Sequence, residues 1–292
     1  MSYASLDKRR INGPDRVSQP IFRASESVAP GEAANAKGKS RQVEERSKRG
    51  DDGVRPIFLQ LNLIPQANGS AYIECGGLKL ACAVYGPRQV RSNNRQYTNQ
   101  AEVNVECRYA PFAGSSRVKP GRDLESTALS SLIHTSLLPC IRLNLLPKAS
   151  LDIYITILES DASLEGCASL AITAASASLA SAGIEMWGLC VGSSAALVDV
   201  DVDVDGGAGK SQKGRERRTL VDPTREEAAQ SSGTVALCSM PALGSITSLE
   251  QSGTVSFEEL DQVVETLTKT SAQIHLVVAE ALQEMVTSRR PR

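Results

Sequence analysis

The stretch Ser70-Ala71-Tyr72-Ile73-Glu74-Cys75-Gly76-Gly77-Leu78-Lys79-Leu80-Ala81-Cys82-Ala83-Val84 reads as two β-strands joined by a tight turn. Both arms are rich in apolar and β-branched residues, and the Gly76-Gly77 pair between them is a strong two-residue hairpin signal. Working outward, Ile57–Leu61 is β-type as well. Glu102-Val103-Asn104-Val105-Glu106-Cys107 alternates strictly, which predicts a strand with one wet face. A helix is predicted from about Asp123 to Leu138, with Leu124, Ala128, Leu132, Ile133 and Leu137 on one side and Pro139 closing it. The strand Leu151–Ile157 follows. Residues 166–182 form an Ala/Ser-rich helical run whose small side chains permit close approach to a sheet. Further strands are predicted at Met186–Val191, Ala196–Val204, Thr234–Met240 and Ser245–Glu250. A capping box, Ser256-Phe257-Glu258-Glu259, opens a long terminal helix. Several antiparallel strands, then a helix, strand, helix, more strands and a helix make an α+β fold of mixed sheets packed with helices. A regular doubly wound sheet does not have this order.

Composition narrows the function classes. The 292 residues are 41% hydrophobic, with a formal charge of -1 and 4% aromatics. A net field that would capture nucleic acid or an anionic membrane is absent, so such binding must be local. The few aromatics argue against a broad base-stacking surface, although a few rings suffice for a small site. No apolar run reaches the length of a membrane span and the N-terminus has no signal-like apolar region, so a soluble, intracellular protein with no membrane partner is expected. The seven cysteines are odd in number, scattered and without a C-x-x-C pair, which predicts reduced, buried thiols.

Several segments imitate chemistry. Gly206–Ser211 is similar to a phosphate loop, but Val204 stands where that motif needs Gly, and no amphipathic helix follows. Asp199, Asp201, Asp203 and Asp205 imitate a calcium loop, yet the twelfth position counted from Asp201 is Gln212, and the intervening Val residues fit a strand with an acidic face. His134 and His275 lie far apart with no local nucleophile partner. The loop Tyr85–Tyr97 carries Arg88, Arg91 and Arg95 with a Tyr at each end. It reads either as a polar hairpin loop or as a site for nucleic-acid phosphates and an occasional stacked base.

Arg55-Pro56-Ile57, Gly69–Gly76 and Cys82–Arg88 together resemble the opening of the RNase PH family. The similarity continues through Gly121–Glu125, Ala171–Ala175 and Ser248–Gly253. Arg9–Pro14 further resembles ring subunits of the eukaryotic RNA exosome of the mRNA-transport-regulator type. The resemblance implies an RNase-PH-like domain over residues 55–292; composition reads 1–54 as a flexible basic extension and about 205–220 as an exposed basic insertion. Active members degrade RNA from its 3′ end by phosphorolysis. Their phosphate motif, D-G-G-T-R, falls on Leu164–Ala168, with Cys167 at the Thr position and Ala168 at the Arg position. Of their two catalytic Asp, one falls near Glu226 or Glu227 and the other on Ser232. The resemblance therefore implies a non-catalytic subunit, with no cofactor or metal, in a heteromeric six-membered ring under RNA-binding cap proteins. Arg88, Arg91 and Arg95 would contact single-stranded RNA, in the nucleus, nucleolus and cytoplasm. The alternative is an active 3′-to-5′ exoribonuclease that uses Arg122 with Glu226 or Asp222.

Overall fold

The structure, a computed structural model, describes residues 49–89, 99–114, 124–204 and 212–289 together with Arg46 and Arg117, the side chains of 200–216 and 289 excepted. All elements belong to the unit Arg49–Arg292. Strands β1 (Ile57–Leu61), β2 (Gly69–Cys75), β3 (Leu78–Gln89), β4 (Glu102–Tyr109) and β5 (Ala149–Glu159) form one sheet in the order β1-β2-β3-β5-β4. Its pairs are antiparallel except β4 with β5. The second sheet, β7-β6-β8-β9, is antiparallel and built from β6 (Val191–Val204), β7 (Gln212–Val221), β8 (Gly233–Met240) and β9 (Ser245–Gly253). The helices are α1 (Leu124–Leu137), α2 (Leu164–Ser181), the short α3 (Arg225–Gln230) and α4 (Phe257–Arg289).

The predicted hairpin forms as read: Gly76 takes a positive φ of 58° and Cys75 pairs with Leu78. Alternation then decides the faces. Ile73, Leu80, Cys82, Val84, Ile153, Ile155 and Ile157 point inward and are buried against α1 and α2. The capping box also forms, Glu259 N–H donating to Ser256 Oγ (3.3 Å) and Ser256 N–H to Glu259 Oε2 (2.9 Å). From there α4 lays Val263 and Leu267 on Ala195, Leu197, Val235 and Leu237 of the second sheet, and farther along packs Ile274 and Val278 against Ala71, Ala177 and Val191.

Helix α2 lies against both sheets, and its Ala and Ser side chains are why it fits. A Cβ at Gly69 of β2 would meet Ser178 O at 2.2 Å, and one at Gly192 of β6 would meet Ser169 O at 2.4 Å. The close approach lets α2 hydroxyls satisfy strand amides: Gly192 N–H donates to Thr173 Oγ1 (3.1 Å), and Cys190 N–H to Ser176 Oγ (2.8 Å).

A second tie runs from the chain before β1 to the end of β7. Arg55 donates to both oxygens of Asp222, at 2.8 and 2.7 Å, and Arg49 adds a 3.1 Å bond. Burial alone would raise the Asp222 pKa, but the Arg55 hydrogen bond and charge, helped by Arg49, outweigh it and hold the carboxyl below its usual range.

Three expectations change. Residues 186–190 are not a strand; Met186 makes one bridge to Ile141, and β6 begins at Val191. Within the segment read as a basic insertion at about 205–220, residues 212–220 belong to β7. Its register sets Arg217 opposite Asp199, Arg215 opposite Asp201 and Lys213 opposite Asp203. Arg217 Nε donates to Asp199 at 2.9 Å, and an opposite-charge pair on facing strands stabilises a ladder that the hydrophobic pattern does not announce. The third change is α3, unread although Thr224-Arg225-Glu226-Glu227 carries the capping-box pattern that opens it. Residues 205–211, the extension through residue 45, Arg91, Arg95 and Arg122 lie outside the described residues.

Two stability outcomes are expected. Gly192→Ala forces β6 off the α2 backbone and destabilises by about 1–3 kcal/mol, read by urea unfolding. Asp222→Asn leaves Arg55 buried without its counter-charge and costs about 3–5 kcal/mol at neutral pH. Because the folded pKa of Asp222 is lowered, its contribution is complete above the unfolded carboxylate value of about 3.9 and is lost as pH falls through the folded value. The gap between wild type and variant should therefore narrow on acidification below about pH 4.

Candidate functional site

The two stretches that the resemblance sets against the phosphate motif and the catalytic Asp residues meet at the N-terminus of α2. Ala162 bridges to Thr224, and Arg225 N–H donates to Asp161 O at 2.9 Å, so the loop before α2 and the start of α3 lie side by side. Ser163 caps α2, accepting from Gly166 N–H at 3.2 Å. The helix end is thus an oriented set of amides of the kind that binds anions elsewhere.

The side chains around it do not continue that theme. Cys167 and Ala168, at the Thr and Arg positions of the phosphate motif, are both fully buried. The Cys167 thiol lies 3.4 Å from Ser160 Oγ and 3.9 Å from Ala162 O; burial pushes its pKa up, against the Ser160 and Tyr109 hydrogen bonds. Ala168 offers a methyl group. In the first turn stands Glu165, which already supplies negative charge to the helix dipole. Its field reaches Glu250 of β9, whose pKa is raised by partial burial and then by Glu165. Positive charge reaches Cys167 from Arg225, exposed on α3, and from Arg55, which is bound to Asp222.

The acidic candidates are largely committed to structure. Glu227 accepts the Thr224 N–H at 2.9 Å as part of the α3 capping box. Ser232 donates its hydroxyl to Leu197 O at 3.1 Å, tying α3 to β6. Asp222 is held between Arg55 and Arg49. Glu226 is exposed on α3.

The nearby cavities match this pattern. One of about 30 Å³ lies between β2, α2, β6 and α4, bounded by Cys75, Ser169, Ser194, Asp222 and Thr270. It is the size of a water molecule and far below that of a ligand pocket. An open depression of about 530 Å³ beside the α2 loop is lined by Phe112, Glu159, Asp161 and Lys79, and Lys79 is paired with Glu159 at 2.9 Å.

Arg88 stands elsewhere, at the exposed end of β3. Its guanidinium lies over the Tyr85 ring, 4.9 Å from the centroid, and Tyr85 meets Tyr154 of β5 edge-on at 5.8 Å. The structure therefore links Arg88, through Tyr85, to an aromatic of another strand, an arrangement not legible in the sequence because Tyr154 is 66 residues from Arg88. Arg91 and Arg95 fall outside the described residues, so the three-arginine grouping rests on the sequence. All seven cysteines are buried and unpaired. Among the described residues no group of three or more His, Cys, Asp or Glu could hold a metal ion, and no helix is long and apolar enough to cross a membrane. His134 and His275 sit on different helices, α1 and α4.

Comparison with known proteins gives this arrangement a lineage. Residues 53–185 match the RNase_PH family, described as the 3′ exoribonuclease family, domain 1. The exosome complex component Rrp41 of Pyrococcus horikoshii is 33% identical over 231 residues, covering 79% of this chain and 85% of that protein. The chain belongs to the RNase PH family. Within the family it is equally similar to the human exosome complex component MTR3, 33% identical over 261 residues that cover 85% of this chain and 83% of that one. The fold is shared with the crystal structure of rice Rrp46 (TM-score 0.65, 20% identity, 81% of this chain and 100% of that chain). It is shared as well with a chain of the Archaeoglobus fulgidus exosome with RNA bound to the active site (TM-score 0.63, 19% identity, 82% of this chain and 95% of that chain). In this RNase PH chain the α2 N-terminus presents a thiol, a methyl and a carboxylate, from Cys167, Ala168 and Glu165.

Buried thiols with raised pKa values react slowly. Cys167 is expected to resist maleimide in the folded protein and to be labelled fully in denaturant, as peptide mass spectrometry would show. Rapid labelling of Cys167 without denaturant would mean that the α2 N-terminus opens to solvent.

Proposed function

We propose that this chain is a non-catalytic subunit of an exosome core ring, supporting 3′-to-5′ RNA processing by scaffolding its neighbours and guiding single-stranded RNA through the channel. The carrying observation is the α2 N-terminus, where Cys167 and Ala168 form a buried apolar wall behind Glu165. A phosphate dianion brought to an anionic RNA backbone needs preorganised cations and donors, and a carboxylate in the first turn opposes it. The assembly follows from the relatives: Rrp41 and MTR3 proteins, at 33% identity across most of the domain, are named as exosome components. In this reading the partners are other RNase-PH-like chains, RNA-binding cap proteins and single-stranded RNA, in the nucleus, nucleolus and cytoplasm. Exposed apolar residues such as Trp187, Leu243, Ile246 and Phe257 are available to ring contacts, and Arg88, Arg91 and Arg95 to RNA phosphates.

Incubating the purified chain with single-stranded RNA and inorganic phosphate should release no nucleoside diphosphate. Phosphate-dependent release, abolished by changing Arg122 or Glu226, would instead establish the active exoribonuclease. Recovery of the tagged chain from its own cells should yield a stoichiometric assembly with other chains of this family; a lone chain or homo-oligomer would overturn the ring role. The triple change of Arg88, Arg91 and Arg95 to Ala should leave that assembly intact, weaken RNA binding and flatten its dependence on salt. Unchanged binding at low salt would remove RNA guiding from these residues.

A further inference from the structure

The face of the five-stranded sheet turned away from α1 and α2 carries four of the chain's eleven aromatics. Register places Phe58 and Tyr72 toward one end of it and Tyr85 and Tyr154 toward the other, with Ala81 and Ala83 of the central strand between them. Each aromatic pair meets edge-on, Phe58 with Tyr72 at 6.5 Å and Tyr85 with Tyr154 at 5.8 Å.

Both ends carry carboxylates, Asp152 and Glu106 lying beside Tyr154, and they differ in where the cation stands. Beside Phe58 and Tyr72 stand Glu74, Glu159 and Lys79; Lys79 is paired with Glu159, and the Tyr72 hydroxyl donates to Glu74 at 3.2 Å. That end repels an anion. At the other end Arg88 lies over Tyr85, and Tyr154 is 45% exposed, a large fraction for an aromatic on a central strand. Asn104 of β4, exposed, is opposite Asp152 and donates to it at 2.9 Å, placing an amide and a carboxylate in the row next to Tyr154. Directly opposite Tyr154 on β4 stands Glu106, paired with Arg108. Arg88, two rings in edge-to-face contact and the Asn104–Asp152 pair therefore adjoin one another, with Ala83 of β3 on the other side of Tyr154. A phosphate is attracted to the guanidinium, a flat base to the free surface of the Tyr154 ring, and a nucleotide carries both.

We propose that Tyr154, backed by Tyr85, is a base-stacking site for single-stranded RNA whose phosphate is held by Arg88. The inference rests on the RNA-guiding reading above and extends it, adding base contact to phosphate contact. Such a site takes any base, because every base presents a flat face, and it contributes affinity without adding to the salt dependence.

Binding of the full-length chain to a fluorescent oligoadenylate, and to an abasic backbone oligomer of equal length, tests it over a range of salt. Tyr154→Ala should weaken oligoadenylate binding about tenfold. Its salt slope and its binding to the abasic oligomer should stay unchanged, and Tyr154→Phe, which keeps the ring, should restore the affinity. Arg88→Ala should weaken both ligands and flatten the slope. Thermal melting, together with the Phe variant, separates a lost ring from a lost fold. If Tyr154→Ala binds oligoadenylate as wild type does while Arg88→Ala is weakened, the stacking site is wrong and RNA guiding by the arginine survives. If Tyr154→Ala weakens both oligomers equally, the ring is not stacking a base. If it releases the co-purifying ring chains and leaves RNA affinity intact, the face is a protein interface and the proposal falls. If Arg88→Ala changes nothing or the wild type binds neither oligomer, the RNA-guiding reading fails and takes this inference with it.

Discussion

The close approach of one small-residue helix to two sheets sets the rest of the structure. Backbone atoms of α2 lie so near β2 and β6 that Gly69 and Gly192 have no room for a Cβ. Such proximity requires Ala and Ser along nearly the whole helix, and the buried hydroxyls repay their desolvation by bonding Gly192 and Cys190 amides. It also brings the core of the first sheet and the apolar face of α4 to opposite sides of the same helix. The N-terminus of α2 is consequently held rigidly at the junction where the loop before it meets α3.

That rigidity gives the side chains at the helix end their meaning. A preorganised cluster of amides is suited to an anion, and the side chains beside it decide whether one is held. In this chain Cys167 and Ala168 extend the core to the helix end, while Glu165 satisfies the dipole from within. Other polar groups of the neighbourhood work as fasteners: Asp222 joins the segment before β1 to the second sheet through Arg55, Glu227 caps α3, and Ser232 ties it to β6.

Much of the architecture was legible wherever local chemistry and tertiary environment agree. The Gly76-Gly77 hairpin, the Ser256–Glu259 capping box and the small-residue helix were readable because turn, cap and packing preferences act within a few residues. Strand β7 was not, since Gln212–Val221 is placed by its pairing with β6, with Arg217 bonded to Asp199, and a basic run taken alone looks the same as a loop. At the candidate site, Cys167 and Ala168 could be placed by family resemblance. The burial that makes them a wall, and the commitment of Asp222 to Arg55, could not.

By itself the sequence determined most of the order of strands and helices, β7 and α3 excepted, the core-facing side of the strands it showed, and which residues stand at the N-terminus of the small-residue helix. Periodicity and turn chemistry are local properties of the chain, and substitution at a motif can be read residue by residue. Only the tertiary structure decided which distant groups meet: Asp222 with Arg55 across 167 residues, and Tyr154 with Tyr85 beside Arg88. Such pairings depend on strand register and on how closely helices approach sheets, which are set by packing the whole core at once.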